Sequence, residues 1–152
     1  MIFNPKSFGA KADGSHDDTN AIQQAIDKAF FSGGGRIVLK NGVFLSGTIY
    51  LKSNISLEID ASACLLASPD INSYGSDTHH NRYRNEPELD RCFIFAENAD
   101  NIELCGNGII NGNAEFFPNS NNIYRPMMIR FLNCRNIRLH DLRLYNSAAW
   151  TT

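Results

Sequence analysis

Apolar and polar residues alternate along the chain in short runs, and one of those runs is written three times. Asn54-Ile55-Ser56-Leu57, Asn101-Ile102-Glu103-Leu104 and Asn136-Ile137-Arg138-Leu139 each place an Asn before two apolar residues at alternate positions. Alternation is the period of a strand with one buried face, and Asn suits the point where the backbone must turn into it. The last two copies stand 35 residues apart and align beyond the motif, with Ile94 on Ile129, Asn98 on Asn133, Ile109 on Leu144 and Asn111 on Asn146. A repeat of this size cannot bury its apolar face alone. The pattern therefore predicts coils stacked on one another, of which a parallel β-helix is the simplest form, and the three Asn could align as a hydrogen-bonded ladder between coils.

The period changes near the amino terminus. Ala21, Ile22, Ala25, Ile26, Ala29 and Phe30 form one helical stripe, with Gln23, Gln24, Asp27 and Lys28 opposite. Asp13-Gly14 reads as a turn, Asp17-Asp18-Thr19 offers acceptors to the first helical amides, and Ser32-Gly33-Gly34-Gly35 ends the run. A helix over about 17–32, followed only by strands, is expected to cap the open end of the stack. The β coils run from about 36 to 146, interrupted by a loop at about 68–90 and a polar stretch from Asn119 to Asn122. A loop of that length tends to carry function, here as the wall of a groove. Nothing after Asn146 reads as a second cap. Residues 1–152 are thus expected to form the amino-terminal part of one β-helix domain, whose last coil is an open edge prone to self-association.

Totals narrow the function classes. With 152 residues and 43% hydrophobic content the chain can build one modest core. A formal charge of −2 and a pI of about 6.0 give no long-range attraction for nucleic acid or an anionic membrane. The first residues, Met1-Ile2-Phe3-Asn4-Pro5, lack the basic and apolar regions of a secretory leader, so a cytoplasmic or already processed chain is expected. Cys64, Cys92, Cys105 and Cys134 match no metal-binding or redox spacing and read as reduced thiols in small positions, with two disulfides as the alternative.

Asp13, Asp17 and Asp18 are the tight acidic cluster, but their place on a turn and a helix start points to backbone capping rather than acid–base chemistry. Gly33-Gly34-Gly35 and Gly106-x-Gly108 lack the further residues of phosphate or dinucleotide loops. Asn54-Ile55-Ser56 matches a glycosylation sequon, yet Asn54 is explained by its turn. His79, His80, Arg82 and Arg84 in the long loop are the residues able to grip a carboxylate, within a mixed-charge stretch that also reads as solvated surface. Phe95, Phe131 and Trp150 could stack on sugar rings, although aromatics of a β stack more often fill its core. No metal and no cofactor are expected, since no histidines share ligand spacing on one face.

Several segments carry a resemblance. Phe8 to Gly14 with Asp17-Asp18-Thr19, and Leu45 to Asn54, resemble the start of bacterial pectin-degrading β-helix enzymes. Ala96 to Ile102, Gly106-Asn107-Gly108-Ile109-Ile110-Asn111-Gly112, Arg125 to Phe131 and Asn146-Ser147-Ala148-Ala149-Trp150-Thr151 are similar to glycoside hydrolase family 28, the polygalacturonases, with Ala148 where Pro is usual and Phe116-Phe117 where Trp is frequent. The resemblance implies an all-β, right-handed single-stranded parallel β-helix and inverting hydrolysis of pectic polysaccharide or oligogalacturonide. It also implies catalytic aspartates from Asn-Thr-Asp and Asp-Asp motifs, with Gly-His-Gly and Arg-Ile-Lys motifs completing the site. None of the four stands at a matching place here, so no catalytic residue is carried over, Arg82 and Arg84 remain the candidate substrate contacts, and the chain alone is expected to be inactive. A non-catalytic polysaccharide-binding or structural β-helix, or a β-helix lyase or epimerase, is the competing reading.

Overall fold

The computed structural model describes residues 1–78, 90–117 and 125–152. Its strands are β1 (Ile2–Phe3), β2 (Asp13–Asp17), β3 (Gly35–Leu39), β4 (Gly42–Ser46), β5 (Ile49–Tyr50), β6 (Ile55–Ile59) and β7 (Ala63–Ala67), then β8 (Cys92–Glu97), β9 (Asp100–Cys105), β10 (Ile109–Asn111), β11 (Met127–Leu132), β12 (Arg135–Leu139) and β13 (Arg143–Tyr145). Among the described residues one α-helix, α1 (Thr19–Phe31), stands between β2 and β3. The strands sort into three parallel sheets, ordered β1-β3-β6-β9-β12, β2-β4-β7-β10-β13 and β5-β8-β11. From β3 on, the chain visits the three in rotation, so this is a single right-handed parallel β-helix with an amino-terminal capping helix, as the alternation and the resemblance predict.

Stacking like on like fills the interior. Ile37, Leu57, Leu104 and Leu139 pair in register through the first sheet, Phe44, Leu65, Ile110 and Leu144 through the second, and Ile49, Ile94 and Ile129 through the third. The turns entering the first sheet repeat too. Asn54, Asn101 and Asn136 all adopt left-handed backbone, a conformation Asn tolerates, and their amides form the expected ladder. Asn101 Nδ2 donates to Asn54 Oδ1 at 2.9 Å, and Asn136 Nδ2 to Asn101 Oδ1 at 2.7 Å. Asn133 Nδ2 likewise donates to Asn98 Oδ1 at 2.5 Å.

Two alignments read from the repeat are corrected. Ile109 does not lie on Leu144 nor Asn111 on Asn146; Ile110 pairs with Leu144 and Asn111 with Tyr145. The Gly106-Asn107-Gly108 turn holds one residue more than its counterpart, so the register slips by one and Ile110 takes the inward place. Gly106 permits that turn: its φ is +110°, and a Cβ there would meet the Ile59 carbonyl oxygen at 2.1 Å.

Helix α1 buries Ala21, Ile22, Ala25, Ile26 and Ala29 on the first coil, while Phe30 lies partly exposed against Phe31 and Lys52. Gln23, on the face assigned to solvent, instead seals an edge. Its Oε1 accepts from Tyr50 N at 2.9 Å and its Nε2 donates to Tyr50 O at 3.0 Å, satisfying backbone that the first rung of the third sheet would leave open. All four cysteines are free thiols.

Candidate functional site

Two outer sheet faces carry the chemistry. On the first sheet, register aligns Arg36, Ser56, Glu103 and Arg138 in one row, and Val38, Glu58 and Cys105 in the next. Arg36 Nη1 pairs with Glu58 Oε2 at 2.6 Å, and its Nη2 reaches Glu103 Oε2 at 3.5 Å. Ser56 Oγ donates to the same Glu103 oxygen at 2.5 Å. The other oxygen, Oε1, lies 3.0 Å from His140 Nε2, and His140 Nδ1 lies 2.8 Å from Asp141 Oδ2.

Hydrogen bonding and burial set the proton affinities on this face. Ser56 and then His140 hold the Glu103 carboxyl below the usual range, while Asp141 and then Glu103 raise the His140 imidazole. Burial raises the Cys105 thiol, against a hydrogen bond with Ser56. The ligating atoms of Glu103, Cys105 and His140 all lie within 4.8 Å of one another. Beside them opens a groove of about 420 Å³, lined in part by Arg36, Asn54, Ser56, Asn101 and Glu103. No sequence spacing marks this convergence. The 35-residue repeat carried the one usable signal, because it sets the residues that follow Leu104 beside those that follow Leu139.

The third sheet presents a different surface. Tyr50, Phe95 and Arg130 share one outward row on three successive coils. Tyr50 meets Phe95 edge-on at 6.0 Å, and Cys92, Phe95 and Met127 form a second apolar cluster outside the coil interior. Both described ends of the long loop settle there. The Tyr50 hydroxyl donates to Asp77 Oδ1 at 2.6 Å, Thr78 Oγ1 to Asp90 O at 2.7 Å, and Arg130 Nη1 to Thr78 O at 3.1 Å. Burial lowers the Arg130 proton affinity, and Asp90 pairs with Arg91 beside it. Phe95 is therefore buried in this second cluster with Cys92 and Met127 rather than in the main core, Phe131 is partly buried against the core, and Trp150 is exposed.

Arg82 and Arg84, with His79 and His80, lie outside the described residues. The three aspartates serve backbone, as expected, but in a different division of labour. Asp13 Oδ1 accepts from Ser15 N and His16 N at 2.9 Å each, which holds its carboxyl well below the usual range, and Asp17 Oδ1 takes the Thr19 amide at 2.9 Å. Asp18 is the N-cap by position yet makes no side-chain cap bond; buried, it accepts from Lys11 N at 2.7 Å and Ala12 N at 2.9 Å. The Asp13-Gly14 pair lies within β2, where its pairing with β4 is irregular, and not in a free turn.

With the geometry described, likenesses to known proteins bear on it. The model of a family described as rhamnogalacturonase A/epimerase, pectate lyase-like, matches residues 2–126. The chain is 36% identical over 121 residues to an exo-poly-α-D-galacturonosidase of Dickeya chrysanthemi, covering 74% of this chain and 19% of that protein. It is 44% identical over 63 residues to alginate lyase 7 of Azotobacter vinelandii, covering 36% of this chain and 7% of that protein. The crystal structure of the Thermotoga maritima exopolygalacturonase matches with a TM-score of 0.81 at 23% identity, over 99% of this chain and 43% of that one, which shows the shared fold. The chain thus spans less than half the length of each.

Proposed function

The chain belongs to the rhamnogalacturonase A/epimerase, pectate lyase-like family, and from that premise we propose that it forms the helix-capped first coils of a polygalacturonase-like hydrolase acting on galacturonan. The observation that carries this reading is the 121-residue likeness to a protein named as a galacturonosidase, supported by the segments between Ala96 and Thr151 that resemble family 28. In this reading the chain is scaffold. The inverting reaction needs one carboxyl to protonate the leaving oxygen and another to direct water, and the clustered Asp13, Asp17 and Asp18 are already engaged with backbone amides. The catalytic pair would come from later coils stacked on β12 and β13.

The loop at 68–90, whose described ends rest on the third sheet, borders the sugar groove in this proposal, with Arg82 and Arg84 offering planar forks to galacturonate carboxylates. Left uncovered, the edge at β12 and β13 would drive self-association.

The test is reducing-sugar release from polygalacturonate by this 152-residue chain beside a form extended through the next coils. Activity confined to the extended form supports the proposal, and in that form the Arg82→Ala, Arg84→Ala pair should weaken galacturonan binding. Activity of the short chain would refute the scaffold assignment. An unsaturated uronide as product would make the family role here a lyase, and silence in both forms would favour a binding or structural β-helix.

A further inference from the structure

We propose that the outer face of the first sheet binds a zinc-class divalent cation through Glu103, Cys105 and His140. The coil geometry brings these three together although His140 is 35 residues from Cys105 in sequence. Leu139 pairs with Leu104, and the next step of the backbone, His140 N donating to Leu104 O at 3.1 Å, carries the imidazole alongside Cys105. One thiolate, one imidazole and one carboxylate form a sulfur, nitrogen and oxygen donor set of the kind zinc accepts, and the thiolate disfavours the hard cations magnesium and calcium. Bonds of about 2.0–2.3 Å to a tetrahedral ion place donor atoms roughly 3.5 Å apart. The three ligand atoms already lie within 4.8 Å of one another, so small rotations of the His140 and Glu103 side chains close the set.

Each of the two mobile ligands is also oriented from behind. Asp141 Oδ2 engages His140 Nδ1 at 2.8 Å, which leaves Nε2 turned inward as the ligand nitrogen. Ser56 at 2.5 Å and Arg36 at 3.5 Å occupy Glu103 Oε2, leaving Oε1 to face His140. Arg36 is a competing cation at the site, but its closer partner is Glu58 at 2.6 Å. On binding, a metal–sulfur bond replaces the thiol S–H bond and a metal–nitrogen bond replaces the Nε2–H bond that faces Glu103, and both protons leave to solvent. The fourth position faces water past the exposed His140 side chain, and the ion ties β9 to β12 across two coils.

Cobalt(II) is the probe, since a thiolate bound to it gives a charge-transfer band and a tetrahedral site gives intense visible bands. Titrating the 152-residue chain should saturate at one equivalent, zinc should bleach the bands, and zinc should raise the melting midpoint. Cys105→Ser should abolish the charge-transfer band. His140→Gln, a change at an exposed side chain that leaves the core untouched, should weaken binding at least tenfold, whereas Cys134→Ser should leave binding unchanged. Failure to saturate at one equivalent, a band that survives Cys105→Ser, binding that His140→Gln does not weaken, or a band lost in Cys134→Ser would each overturn the site.

Discussion

β9 and β12 carry the same four-residue motif in the same register, yet only one of them is closed from water. Ile102 and Leu104 are 1% and 0% exposed, whereas Leu139, which pairs with Leu104, is 43% exposed. The difference is occupancy. β9 lies between β6 and β12, while among the described residues β12 has a neighbour on one side only. A motif of alternating residues selects which side chains face inward; how much apolar surface leaves water depends on the coils above and below. Fully burying a Leu stabilises by about 1.5–3 kcal/mol, so identical motifs contribute unequally.

Truncation should expose that inequality most strongly. Leu104→Ala is expected to cost about 2–5 kcal/mol in urea unfolding, against less than about 1 kcal/mol for Leu139→Ala. Equal losses would mean that β12 is covered in solution, as self-association through that edge would produce.

Cysteines allow the same contrast to be read by chemistry. Cys92 in β8 is fully buried, its Sγ donates to Ile94 O at 3.2 Å, and burial pushes its thiol from 9.0 up to about 12; Cys134, just before β12, is partly exposed. At pH 9 an alkylating reagent should modify Cys134 on the order of 100-fold faster than Cys92, with Cys92 reacting only as the stack opens. A raised folded value favours the neutral thiol. The Cys92 contribution to stability is therefore complete below the unfolded value near 9.0 and is lost as pH rises toward about 12, so denaturant midpoints for the wild type should fall through that window more than those for Cys92→Ala.

The Asn ladder gives a smaller contrast. Asn101 both donates to Asn54 and accepts from Asn136, whereas Asn136 makes only the second of these bonds among the described residues. Asn101→Ala should cost about 1–2 kcal/mol and Asn136→Ala about 1 kcal/mol, because each also places Ala in left-handed backbone. Asn101→Gly removes the amide but keeps that conformation accessible. Recovery of about half the loss would separate the hydrogen bond from the backbone term.

Smallest of all should be the pair that joins the two strands at their ends. Arg135 Nη2 meets Asp100 Oδ2 at 3.3 Å with both side chains largely in water. Arg135→Ala is expected to change stability by less than about 0.5 kcal/mol, and less again at high salt.

Much of this architecture was legible in the residues. Strand alternation, the helical stripe and the turn Asn are local signals, each imposed by neighbours a few positions away, and they placed α1, the Asn ladder and most strands correctly. The slip of Ile109 against Leu144 was not legible, because one extra residue in the turn at Gly106 changes facing without altering composition. Neither was the outward apolar cluster of Cys92, Phe95 and Met127. Phe95 faces away from the coil interior, and side chains of the neighbouring coils, Tyr50 and Met127 among them, cover it there.

By itself, then, the amino-acid sequence determined a repeating strand-and-turn chain, its capping helix and the kinship carried by its motifs, since each is written in spacing that a short segment can hold. Tertiary structure decided which repeats are buried, which register follows a turn, and that Glu103, Cys105 and His140 share one face. Those outcomes depend on residues from successive coils meeting across a stack, where separation in sequence no longer measures distance in space.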